Sequence, residues 1–115
     1  MDAFDLVWQK LQIALKPGIE IKNWNAYNGN LGDNLTINTV DPNFISIDPP
    51  RVWGTQAISR EDFEQIWLIW SDYLALRMKR ARMQEFSNQS KYIISIFHWY
   101  EKEGVVLLKS NDLNS

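Results

Sequence analysis

Apolar residues recur at helical spacing over residues 2–16. Phe4, Val7, Trp8, Leu11 and Leu15 fall on one face, so the segment reads as an amphipathic helix. Asp2 is the expected N-cap, and Asp5 adds negative charge to the first turn. Lys16-Pro17-Gly18 stops the helix with a last-turn cation and two residues that do not continue it. The period then changes to two. Ile19 and Ile21 alternate with Glu20 and Lys22 over residues 19–24, and alternation returns over 35–40 and 44–48. Asn25 to Asn34 reads as an Asn/Gly-rich loop with a turn at Asn28-Gly29, and Asp41-Pro42-Asn43 reads as a second turn. Pro49-Pro50 closes the third run, and residues 51–57 read as a connector containing Trp53-Gly54. The pattern predicts a three-stranded antiparallel sheet.

Helical spacing resumes at Ser59, an N-cap with Asp62 three residues on in a variant capping box, and Glu61 and Glu64 beside it. A helix over residues 60–77 carries Phe63, Ile66, Trp67, Trp70, Tyr73, Leu74 and Arg77 on one side, and Leu68, Ile69 and Leu76 widen the apolar arc. An arc that wide predicts a central or interfacial helix. A shorter helix over 78–86 follows. Ser87-Asn88-Gln89 interrupts it, with Ser87 or Asn88 capping a last helix over 89–102 that turns Tyr92, Ile93, Ile96, Phe97 and Tyr100 inward. Gly104 is the expected stop. Residues 105–108 read as an edge strand or a docking tail, and 111–115 as a frayed end. The fold class is therefore α+β, one domain over 1–115: an N-terminal helix, the sheet, and a C-terminal helical segment packed on it.

Composition adds two points. The 115 residues hold no Cys, which removes disulfides, thiolate metal sites and cysteine nucleophiles, and they hold six Trp, four Tyr and five Phe. The N-terminal MDAFDLVWQK lacks the basic and apolar regions of a signal peptide, and no apolar run approaches the roughly 20 residues of a membrane span, so a cytoplasmic protein is expected. The formal net charge of −2 argues against general nucleic-acid binding, but residues 51–115 carry nine basic groups against eight acidic ones.

Several constellations have chemistry to weigh. Trp53, Trp67, Trp70 and Trp99 are candidates for an apolar ligand pocket or a subunit interface, and the width of the 60–77 arc favours a homodimer. Core packing also accounts for them. The basic segment 78–92 can be read as helix-turn-helix, with Gln89, Ser90 and Tyr92 addressing base edges and Lys79, Arg80, Arg82 and Lys91 meeting phosphates. A solvated basic face is the plainer account, since the turn lacks its usual glycine. Glu20-Ile21-Lys22 is an E-x-K on a strand, as in some metal-dependent nucleases, but the preceding carboxylate is not in a suitable place. His98, the sole histidine, reads as a surface or capping residue; with no second His and no Cys, a zinc site is disfavoured. No phosphate loop or serine nucleophile motif is legible, and no cofactor, metal or catalytic residue is expected.

The residues Ile58-Ser59-Arg60, Asp62-Phe63-Glu64, Ile66-Trp67, Trp70 and Tyr73, followed by Arg77, Arg82, Ser87-Asn88, the run Ser90 to Ile96 and His98-Trp99, resemble small uncharacterised proteins of bacterial mobile integron gene cassettes. The resemblance covers about a third of the chain, from Ile58 to Trp99. It implies a bacterial, cytoplasmic, compact α+β protein, often a homo-oligomer, and carries over no catalytic residue. The leading functional expectation is a non-enzymatic binding module, with DNA binding and a metal-dependent nuclease as alternatives.

Overall fold

A computed structural model describes residues 3–106 and Leu108. The chain runs α1 (Phe4–Ala14), β1 (Glu20–Asn25), β2 (Gly29–Asp41), β3 (Phe44–Asp48), β4 (Gln56–Ser59), α2 (Arg60–Leu68), α3 (Trp70–Leu74), α4 (Arg80–Met83), α5 (Ser90–Trp99) and a π-helical turn (Tyr100–Gly104). The α+β class and the order helix, sheet, helices are as expected.

The sheet has four antiparallel strands in the order β1-β2-β3-β4, not three. β4 was hidden in the connector because it is four residues long and buries only Ile58. β2 also starts at Gly29, inside the expected loop. Gly29, Asn30 and Asn34 pair with β1, but residues 29–34 bury almost nothing, so they leave no period-two signal. The connecting turn is short: the Asn25 Oδ1 accepts from the Tyr27 and Asn28 amides at 3.0 and 2.8 Å, and Gly29 takes φ +73°. Register shifts between Lys22 and Trp24 and between Ile37 and Thr39 bend the sheet.

One face of the sheet is apolar. Ile21, Leu35, Ile37, Ile45, Ile47 and Ile58 are buried there, against a core that includes Val7, Leu11, Phe63, Ile66, Ile93 and Phe97. All five residues predicted on the buried face of α1 are buried, including Leu15 just beyond its end, and the Trp8 Nε1 donates to the Pro42 carbonyl at 2.9 Å. Ala3 occupies the N-cap position of α1; Asp2 lies outside the described residues.

The long helix predicted over 60–77 is two helices. It breaks at Ile69 (φ −113°, ψ 7°), with no Gly or Pro to announce it. It ends at Leu74, where the Arg77 and Leu76 amides donate to the Asp72 and Tyr73 carbonyls and Leu76 adopts φ +60°. Half of the capping box is present. The Asp62 amide donates to Ser59 Oγ at 3.2 Å, but the Asp62 carboxylate accepts from Ser87 Oγ at 3.0 Å. α4 is only four residues, shorter than expected, and α5 is capped by no side chain at Gln89.

Gly104 does not end the last helix. The α-helix widens into the π turn, and Val105 and Val106 continue helically, so the expected strand at 105–108 does not form there. Leu107 and residues 109–115 lie outside the described residues. Among the described residues, no helix is long and apolar enough to cross a membrane.

Candidate functional site

α5 decides where side chains can act. It is buried around most of its circumference, from Tyr92 to Phe97 and again at Trp99. It runs along the free edge of β1. Ser95 Oγ accepts from the Trp24 amide at 3.0 Å, and the hydroxyl of Tyr73, on α3, accepts from the Ala26 amide at 2.9 Å. Burial raises the Tyr73 pKa, against the opposing pull of that amide and of the Arg80 charge. Hydroxyls from two helices thus satisfy edge donors that would otherwise be orphaned.

The π turn that extends α5 sends consecutive residues to different sides, and each side borders a hollow. The two hollows share no lining residue. The first has a volume of about 440 Å³ and apolar walls of Trp67, Trp70, Leu74, Tyr100 and Val105. Lys10 from α1, Ser71 and Glu101 supply its polar groups. The Glu101 carboxylate accepts from the Trp70 indole N–H, which fixes the ring. Trp70 also packs against Tyr73 and Phe97 at centroid distances of 5.7 and 5.5 Å, so the wall is rigid.

The second hollow, about 360 Å³, is polar. Glu20 and Lys22 on β1, with Asn30 and Asn34 on β2, form one wall; His98, Trp99, Lys102 and Glu103 form the other. The His98 ring lies flat on Trp24, 3.8 Å between centroids and 7° between planes. Burial, helped by the nearby Lys102 charge and opposed by Glu103, lowers the His98 pKa, so the imidazole is neutral at pH 7. Among the described residues, none of Glu20, Lys22, Lys102 and Glu103 is in an ion pair. No group of three or more His, Cys, Asp or Glu that could hold a metal ion occurs among the described residues.

The predicted site residues therefore separate. Trp67 and Trp70 meet at the first hollow, and Trp99 lines the second while its ring is almost wholly buried. Trp53 joins neither; it is fully exposed in the connector between β3 and β4. Gln89 is occupied structurally, its Nε2 donating to the Ala57 carbonyl at 3.3 Å. Ser90 and Tyr92 are buried, so the helix that would read base edges faces the core. The cations stay at the surface. Arg82 pairs with Glu85 at 3.6 Å, and the Lys91 ammonium sits 4.9 Å from the Tyr92 ring centroid. Lys79 and Arg80 border a small hollow with Asn25, Tyr27 and Asn28, held there by the Tyr27 hydroxyl donating to the Met78 carbonyl at 2.9 Å.

The residues not foreseen are the polar ones of both hollows: Lys10, Ser71, Glu101, Asn30, Asn34, Lys102 and Glu103. They are brought together across the fold from separate elements, so no local motif marks them. No family model matches the chain, and comparison with curated proteins and with solved structures gives no match either.

Proposed function

We propose that this protein is a non-enzymatic binding module, working as a homodimer, whose ligand is a small apolar or aromatic molecule held in the hollow walled by Trp67, Trp70, Leu74, Tyr100 and Val105. The observation that carries the reading is the hollow's form: about 440 Å³, rigid aromatic walls, and few polar groups to orient a ligand. The dimer rests on Leu68 and Leu76, which are exposed at the end of α2 and just beyond α3. A panel of indole, p-cresol, indole-3-acetate, octanoate and hexanol tests the pocket by thermal shift. At least one is expected to raise the melting temperature, since a ligand at a hundred times its Kd stabilises by about 2.7 kcal/mol. Leu74→Arg, a change at a half-exposed wall residue, is expected to abolish the rise while leaving the unliganded protein folded. A panel without effect, or one acting equally on L74R, sinks the reading.

A further inference from the structure

The polar hollow has a charge arrangement that selects a ligand class. Each wall contributes one cation and one anion, Lys22 and Glu20 from β1, Lys102 and Glu103 from the π turn. None of the four is neutralised by an ion pair among the described residues. With His98 neutral the lining carries no net charge, yet it holds separated full charges of both signs. A simple anion entering the cleft meets carboxylates as well as ammonium groups, and a simple cation meets the reverse. A molecule with both charges on neighbouring atoms satisfies both sets at once, by charge-assisted hydrogen bonds that are about twice as strong as neutral ones. The Asn30 and Asn34 amides add donors and acceptors to the same wall. The imidazole, held flat against Trp24, is a fixed polar group in the opposite wall. The wall itself is an irregularity: a π turn places Lys102 and Glu103 at this cleft and Tyr100 and Glu101 at the other hollow, and π turns of this kind frequently occur at functional sites.

We infer that the cleft between β1 and the π turn is a second binding site, for a small zwitterion of the free α-amino acid class. This site is separate from the aromatic hollow and does not depend on it, since they share no residue.

Calorimetric titration of the folded protein with each common amino acid, up to about 10 mM, tests this in a range where weak fragment-sized ligands still register. At least one is expected to bind. Its N-acetyl derivative, lacking the ammonium, and its amide, lacking the carboxylate, are each expected to bind roughly tenfold or more weakly, the loss of one charge-assisted bond. Lys22→Met and Glu103→Gln are expected to weaken binding by a similar factor and to leave the unliganded melting temperature close to the parent's, since both residues are exposed. L74R is expected to bind the amino acid normally, which keeps a failure here distinct from a failure of the aromatic hollow. No binding by any amino acid overturns the inference. So does equal binding of the singly charged derivatives, or unchanged binding by both charge variants.

Discussion

Ser95 is fully buried in α5, where alanine would be the better helix former. Its hydroxyl is there for the strand beside it. Oγ accepts from the Trp24 amide at 3.0 Å and lies 3.2 Å from the Lys91 carbonyl that takes its own proton. Ser95→Ala leaves a strand-edge amide without a partner, at a cost of about 1–3 kcal/mol. For a domain near this size that is a fall of roughly 4–8 °C in melting temperature per kcal/mol, and a melt unchanged from the parent would remove the account. His98 gives a second prediction at this scale. Its folded pKa lies below its ordinary value, because of burial first and Lys102 second, so the unfolded chain takes up the proton more readily. Stability contributed by the neutral ring is present in full above the unfolded pKa near 6.5 and falls as pH drops through and below it. Melting curves are expected to weaken between pH 7 and 5, and His98→Phe, which keeps a ring on Trp24, is expected to flatten that part of the profile. A variant with the parent's full slope would show that other groups set it.

The end of α3 carries a strain that regular elements avoid. Leu76 holds φ +60°, a left-handed conformation that costs an L-residue about 1–2 kcal/mol, at the position where helix ends most often place glycine. Leu76→Gly relieves that cost and gives up some chain entropy, roughly 0.5–1 kcal/mol. In a Leu68→Lys background, where no dimer contact is at stake, the expected outcome is a stability gain of about 0.5–1 kcal/mol in chemical denaturation; a loss would mean that the leucine side chain is held by packing within the chain. Elements with strong apolar periodicity were legible from the sequence, as α1 shows through Phe4, Val7, Trp8, Leu11 and Leu15. Elements held by backbone bonding without burial were not. β4 pairs along its length and the first half of β2 pairs at Gly29, Asn30 and Asn34, yet both offer almost no inward apolar side chain. The break at Ile69 and the widening at Tyr100 also lack a local marker, because neither uses Gly or Pro to begin. The same limit applies to the sites. Trp67 and Trp70 stood out by residue type, whereas Lys10 or Lys102 acquires meaning only when a distant element arrives beside it.

At the scale of the whole molecule, the proposed dimer is the reading most open to measurement. Sedimentation at micromolar concentration is expected to give twice the 13.5 kDa of the chain, and Leu68→Lys is expected to return it to monomer. A clean monomer for the parent protein removes the dimer. The sheet edges restrict how copies can meet. The Trp24 amide of β1 already donates to Ser95, the Ala26 amide in the turn just beyond it donates to Tyr73, and the Ala57 carbonyl of β4 already accepts from Gln89. A neighbouring copy that tried to add a strand beside Trp24 would have to displace hydroxyls covalently tethered to the core. The aromatic helices therefore act as built-in protection against fibril growth. If that protection is removed at Ser95, the freed edge becomes a template, and the variant's fate after heating should shift from refolding toward precipitation.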